Sequence, residues 1–224
     1  MTSAPAPPSE RTTVRRAPDR ARYERETIRS ILDEGLVAHV GFLAGDSPIV
    51  IPMAYARVGE RLYLHGSPAS RMLRALDRGV PLCATVTLLD GLVLARSAFH
   101  HSMNYRSVVV MGTATEVSDT AEKARAFDAI VEQIVPGRSG NTRPANEFEL
   151  RFTRLMALPI DEASAKLREG PPLDDPEDMS HPTWAGVIPL RLTAGKPIPD
   201  EACRGRVEAP GHATRYRRPL APAD

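Results

Sequence analysis

Short apolar runs, broken every few residues by glycine, proline or an acidic turn, fill the chain from about residue 23 to residue 117. Residues 23–34 place Ile28, Ile31 and Leu32 on one helical face and stop at Gly35, which predicts a short helix. Strands are predicted over 36–43, 48–56 and 61–65, with turns at 44–47 and 58–60. Ser67 suits an N-cap and Pro68 a first helical position, so 67–78 reads as a helix with Met72, Leu73 and Leu76 inward and Gly79 and Pro81 as its stop. Asp90-Gly91 between apolar runs predicts a hairpin joining strands 82–89 and 92–99. A long β run follows over 105–117. Asp119-x-x-Glu122 then opens a helix to 135, with Phe127, Ile130, Val131 and Ile134 at helical spacing. Residues 149–160 and 186–192 read as closing strands. Six to eight strands, three helices and few long crossovers predict a mainly β, α+β fold, a closed or nearly closed barrel with helices outside, and not a doubly wound sheet.

Composition narrows the function classes. The 224 residues are 42% hydrophobic, enough for a real core, and the net charge of +1 exerts no general pull on nucleic acid or an anionic membrane. No apolar run reaches the roughly 18–20 residues of a membrane helix. The first 22 residues, rich in Pro, Ala and Arg, lack the apolar centre of a signal peptide, so a cytoplasmic protein is expected. Residues 1–22 are expected to be a disordered tail, residues 23–200 the folded domain, and residues 201–224 a disordered basic tail. Cys83 reads as a buried thiol and Cys203 as a tail residue, with neither a disulfide nor metal-ligand spacing.

The candidate chemistry lies at residues 62–71, Leu-Tyr-Leu-His-Gly-Ser-Pro-Ala-Ser-Arg. A strand ends, small residues turn the chain and a helix begins. Free N–H groups, the Ser67 and Ser70 hydroxyls and the Arg71 fork together suit an anion. The same residues also suit a plain capped helix with Arg71 in solvent. His65 is either a donor to a ligand or a strand-end histidine bonded to backbone. His100 and His101 point to opposite faces of an extended chain, and no third ligand at metal spacing accompanies them, so no metal site is expected. Lys166 and Arg168 read as a solvated pair, and Asp174, Asp175, Glu177 and Asp178 as a solvated acidic loop. No Gly-x-Gly-x-x-Gly follows a strand and no Gly-x-Ser-x-Gly occurs, which argues against a Rossmann site and against an α/β-hydrolase.

Four blocks together resemble the pyridoxamine 5′-phosphate oxidase-like superfamily over roughly residues 22–195. Residues 49–53 (Ile-Val-Ile-Pro-Met) resemble the strand that passes under the flavin, and Ser70-Arg71 fall on the Ser-Arg that grips its phosphate. Met72 stands where that family often has Lys. Residues 105–112 (Tyr-Arg-Ser-Val-Val-Val-Met-Gly) resemble the strand ending in Gly, with Ser107 on the Gln that bonds the ring. Residues 184–190 (Trp-Ala-Gly-Val-Ile-Pro-Leu) resemble the late Trp-Gly-Pro block. His65-Gly66, the 99–107 run and the 163–168 run are most similar to the nitroimidazole-resistance-like flavoproteins. The oxidase's Arg-x-His near the C-terminus has no counterpart in context, so vitamin B6 oxidation is not expected.

The resemblance implies a six-stranded antiparallel split β-barrel with peripheral helices, a homodimer with two FMN molecules in grooves between the subunits. It implies that Val50, Ile51, Pro52 and Met53 run along the ring, with Leu64, His65, Gly66 and Ser67 close by. Ser70 and Arg71 would hold the phosphate, Arg106 and Ser107 would lie at the ring edge, and Ser164, Lys166 and Trp184 would lie near the cofactor. FMN is expected in preference to FAD, with His65 as the catalytic residue of an FMN-dependent oxidoreductase. Its partners would be a small molecule, of nitro or quinone type, and a reductant such as NAD(P)H. A flavin carrier or sensor without turnover, and a haem-binding split barrel with His65, His100 or His101 as axial ligand, are the alternatives.

Overall fold

The structure, a computed structural model, describes residues 5–218. In chain order the elements are β1 (Ala21–Arg22), α1 (Arg25–Glu34), β2 (Ala38–Ala44), β3 (Ser47–Met53), β4 (Tyr55–Val58), β5 (Arg61–Gly66), α2 (Arg71–Asp77), β6 (Leu82–Leu94) and β7 (Ser102–Gly112). There follow β8 (Thr115–Glu116), α3 (Thr120–Ile134), α4 (Glu147–Phe152), β9 (Arg154–Pro159), β10 (Glu162–Arg168), β11 (Gly186–Pro189) and α5 (Gly211–Thr214). The fold is mainly antiparallel β with a few helices, as expected. Among the described residues its strands are eleven segments in a seven-stranded and a four-stranded sheet, where six strands were expected. The described residues form two compact units, 5–35, 85–110 and 161–191 in the first, and 36–84, 111–160 and 192–218 in the second.

In the first unit the strand order is β1-β10-β7-β6, with β11 antiparallel on β6. Ile28, Ile31 and Leu32 bury the inner face of α1, and Gly35 closes it with a bond from its N–H to the Ile31 carbonyl, 3.0 Å. The predicted hairpin at Asp90-Gly91 is absent, because β6 runs unbroken through both residues. Its buried positions are 82, 84 and 86, then 91 and 93, so the alternation slips by one residue across 87–90 and mimics two strands. Gly91 serves close approach instead of a turn. A Cβ there would lie 3.0 Å from Val187 Cγ1 and 3.2 Å from the Ile188 carbonyl. Residues 5–22, expected to be disordered, carry two 3-10 turns, and Ala21 and Arg22 pair with Lys166 and Ala165 of β10. Thr12 is buried and bonds the Ser9 carbonyl, Arg11 pairs with Glu162, and the Val14 N–H bonds the Tyr23 hydroxyl. Polar partners hold this segment, which an argument from apolar area does not count.

The second unit is built on two-residue hairpins. β2 and β3 pair from Ala38↔Met53 to Ala44↔Ser47, and β4 and β5 from Tyr55↔Leu64 to Val58↔Arg61. Gly45 (φ 64) and Gly59 (φ 58) take the left-handed first position of each loop, where a side chain would be strained. The run 48–56, expected as one strand, is therefore two, divided at Ala54. The four-stranded sheet has the order β4-β5-β9-β8. Ala126 and Ile130 of α3 pack on Ala56, Tyr63, Val117, Leu155 and Ala157. Asp119 caps α3 through the Glu122 N–H at 2.6 Å, as its sequence predicts. Of the strand expected over 149–160, residues 149–152 are instead helical, within α4, and only the later part is β9. Asn146 and Glu149 cap each other's N–H groups at 2.9 Å, and Arg143 clamps the same glutamate. The C-terminal segment also has structure up to 218. It carries α5, and Arg218 is buried with its guanidinium on the Gln133 carbonyl, 2.7 Å. The remaining residues of both expected tails, 1–4 and 219–224, lie outside the described residues.

Candidate functional site

The corner between β5 and α2 is set by buried side chains on either side of it. Leu64 is fully buried, paired with Tyr55 of β4 and Met156 of β9, and this fixes His65 and Gly66 at the strand end. Leu73 and Leu76, both fully buried, anchor α2. Between the anchors the chain makes a Ser67–Ser70 turn. The Ser70 N–H bonds the Ser67 carbonyl at 2.9 Å, and the Ser67 hydroxyl accepts from the Ala69 N–H at 3.2 Å. Ser70, not Ser67, is the N-cap, its hydroxyl accepting from the Leu73 N–H at 3.5 Å. The helix begins at Arg71 because the turn consumes Pro68 and Ala69. The first-turn N–H groups of α2 precede its ladder, Arg71 is exposed beside them, and Gly66 leaves room that a Cβ would take from Leu73 (3.1 Å).

His65 carries the most specific signal here. Its ring meets Phe127 edge-on at 6.1 Å, and Nδ1 is buried with no hydrogen-bond partner among the described residues. Burial pushes its pKa below the ordinary histidine value of 6.5. The ring is therefore neutral at pH 7 and holds a lone pair or an N–H for a ligand. The unfolded chain takes up a proton near pH 6.5, whereas the folded chain does so only at lower pH. Stability of the cofactor-free protein is thus expected to fall as pH drops below about 6.5, levelling off below the depressed value. In His65→Gln that fall should shrink. Equal pH profiles of chemical denaturation for the two proteins would contradict the assignment.

Val50, Ile51, Pro52 and Met53 lie on β3 of the same unit, opposite Gly41, Val40, His39 and Ala38. Val50 is 64% exposed and Pro52 is exposed, while Ile51 and Met53 are half-buried. The second unit thus holds Val50–Met53 of the predicted set together with Leu64, His65, Gly66, Ser67, Ser70 and Arg71.

The other predicted residues belong to the first unit. Arg106 donates to both oxygens of Glu34 (2.6 and 3.0 Å) and of Asp90 (2.9 and 3.0 Å), and these bonds raise its pKa further. Ser107 bonds the Lys166 carbonyl at 3.3 Å, and the Lys166 ammonium bonds the Arg16 carbonyl at 2.8 Å. Ser164 is buried. Trp184 is 65% exposed and its indole lies over Gly186, where a Cβ would come within 2.8 Å of the ring. Gly186→Ala is expected to displace the indole. As the chain has one tryptophan, its emission spectrum reads this directly, and an unchanged spectrum would refute the contact.

Other readings change in the structure. Arg168, expected in solvent, is 5% exposed. The acidic loop is not merely solvated. Asp174 accepts from the Arg96 N–H and guanidinium, both at 2.8 Å, and Asp175 Oδ2 lies 3.1 Å from His100 Nε2. His100, Asp175 and Asp178 place three potential ligand atoms within 4.8 Å of one another, a grouping not anticipated from spacing. His101 Nδ1 lies 3.0 Å from the Ser97 carbonyl. Cys83, expected to be buried, is partly exposed, and both cysteines are free. No helix among the described residues is long and apolar enough to cross a membrane.

An antiparallel β fold with this strand-to-helix corner defines a class, and comparison with known proteins assigns it. The profile of the family described as pyridoxamine 5′-phosphate oxidase matches residues 24–167, and the chain belongs to that family. Its fold is similar to that of the flavocytochrome Anf3 from Azotobacter vinelandii, with 44% identity, 95% of this chain and 99% of that chain covered, and a TM-score of 0.89. It is similar to the FAD and heme binding protein from Mycobacterium smegmatis, with 36% identity, 86% and 95% covered, and a TM-score of 0.82. A candidate 5-nitroimidazole antibiotic resistance protein from Bacteroides thetaiotaomicron shares the fold at 24% identity, 65% and 85% covered, and a TM-score of 0.56. No match was found among curated proteins.

Proposed function

We propose that this chain is a flavin- and haem-carrying redox protein acting on a small molecule, with the flavin phosphate at the β5–α2 corner. The observation that carries the reading is the identity of 44% with a flavocytochrome over 95% of the chain, supported by a second relative whose printed name includes FAD and heme. FAD is favoured over the FMN expected from motifs because that second relative names FAD. The residues present fit both groups. First-turn N–H groups, Ser70 and the exposed Arg71 suit a phosphate. Among the three candidate axial histidines, His65 has the buried nitrogen without a partner, whereas His100 faces Asp175 and His101 faces a carbonyl.

When bound, a flavin supplies one- or two-electron transfer and a haem one-electron transfer. The chain's part is to bind, orient and exclude water. Arg71 would hold the phosphate, the exposed β3 edge from Val50 to Met53 would face the ring, and the neutral His65 would present its nitrogen. A second copy of the chain would complete the flavin groove, as a homodimer. The test is the absorption spectrum of the purified protein, followed by the mass of the released cofactors. Arg71→Ala is expected to weaken flavin binding by about 10–100-fold, the scale of a charged hydrogen bond. His65→Gln is expected to alter the Soret band. A colourless protein that takes up neither group in excess refutes the proposal, and bound flavin that no reductant bleaches makes the chain a carrier instead.

A further inference from the structure

A cavity of about 300 Å³ opens in the first unit where β1 pairs with the end of β10. Its charged lining is three guanidinium groups, Arg20, Arg22 and Arg168, against the carboxylates of Asp19 and Glu169. Arg168 is the unusual member, at 5% exposure. Its donors reach only neutral acceptors, namely the Asn104 side-chain oxygen and the carbonyls of Gly170 and Pro171, both at 2.9 Å. Gly170 makes this possible with φ 92, a left-handed turn that folds its carbonyl back on the guanidinium. Among the described residues neither Arg168 nor Arg20 has an ion-pair partner. Burial, and next the repulsion from Arg20, lower the Arg168 pKa from its ordinary value. A desolvated cation beside a second cation is costly, and an anion in the cavity relieves both penalties.

We infer that this cavity binds the diphosphate group of a dinucleotide. Three guanidinium groups against two carboxylates leave the space net positive, and the planar forks match phosphate oxygens. The volume stands at the lower end of ligand pockets, which run from about 300 to 1,000 Å³, so it suits a diphosphate and not a whole dinucleotide. Leu167, Pro171 and Leu173 supply an apolar wall for the attached nucleoside. Because the flavin phosphates are assigned to the β5–α2 corner, the dinucleotide here is a nicotinamide dinucleotide that delivers electrons. The diphosphate site itself uses these side chains alone and stands apart from the proposed flavin and haem chemistry.

The probe is inorganic pyrophosphate, titrated calorimetrically into the full-length protein with and without its cofactors. One binding site is expected, weakened about tenfold or more by Arg20→Gln with Arg22→Gln, the scale of a lost charged contact. Arg168 is left in place because it holds backbone carbonyls. Should the double variant not fold, Arg20→Gln alone is used. The exposed Arg191→Gln, outside the cavity, should leave binding unchanged. Binding only to flavin-free protein overturns the inference, because pyrophosphate then occupies the flavin-phosphate site. Binding to both forms, with weaker NADH binding in the double variant, identifies the nicotinamide dinucleotide. A colourless protein that still binds pyrophosphate refutes the flavin reading alone. No binding, or the same weakening in Arg191→Gln, overturns it.

Discussion

Arg106→Leu is expected to cost about 3 kcal/mol of stability, the lower part of the range for breaking a buried ion pair. The guanidinium is 19% exposed and lies between Glu34 at 15% and Asp90 at 35%, with four bonds of 2.6–3.0 Å. Removing it leaves two carboxylates facing each other in a poorly hydrated space, so both the lost bonds and the new repulsion act in the same direction. The lower figure reflects the partial exposure of Asp90, where solvent screens the charge. The same logic gives an internal control. Adding Glu34→Gln and Asp90→Asn to Arg106→Leu removes the stranded charges, and much of the loss should return. Denaturant midpoints of the single and triple variants decide the matter. A single variant within about 0.5 kcal/mol of the parent, the range of an ordinary surface substitution, would show the triad to be solvated.

Leu64→Ala is expected to cost about 3 kcal/mol, within the range for emptying a leucine site in a core. Leu64 is fully buried between Tyr55 and Met156, so its neighbours cannot collapse onto the gap without shifting β4 or β9. Because Leu64 precedes His65 and Gly66, the same change should loosen the corner that receives the cofactor. Weaker flavin binding is expected alongside the loss of stability, measured in buffer where the variant remains folded. Unaltered stability would mean that the site relaxes freely and that the corner is not held by β5.

How much of this was legible in the sequence depends on how local each cause is. The α3 helix, its Asp119 cap and the turn after β2 were readable because each rests on residues within a few positions of one another. The β5–α2 corner was readable for the same reason, although its N-cap was misplaced from Ser70 to Ser67, two serines that each accept a backbone N–H. The continuity of β6 was not. The partner of Asp90 is Arg106 and that of Gly91 is Pro189, and without them Asp-Gly reads as a turn. β10 was missed because Ala163, Ser164 and Ala165 have no branched or aromatic side chain, and burial alone makes them a strand. For α4 the signal was present in Asn146-x-x-Glu149, overshadowed by Phe148, Leu150 and Phe152, which read as β. The His100–Asp175 and Arg168–Asn104 contacts join residues 75 and 64 positions apart, and no local pattern announces either.

The central claim is that the corner after His65 holds a flavin in a protein that also carries haem. Mass analysis of the groups released from freshly purified protein tests it most directly. The account predicts FAD together with haem, and less flavin retained by Arg71→Ala. Protein that releases neither group, and that binds neither after incubation with excess of both, would contradict it.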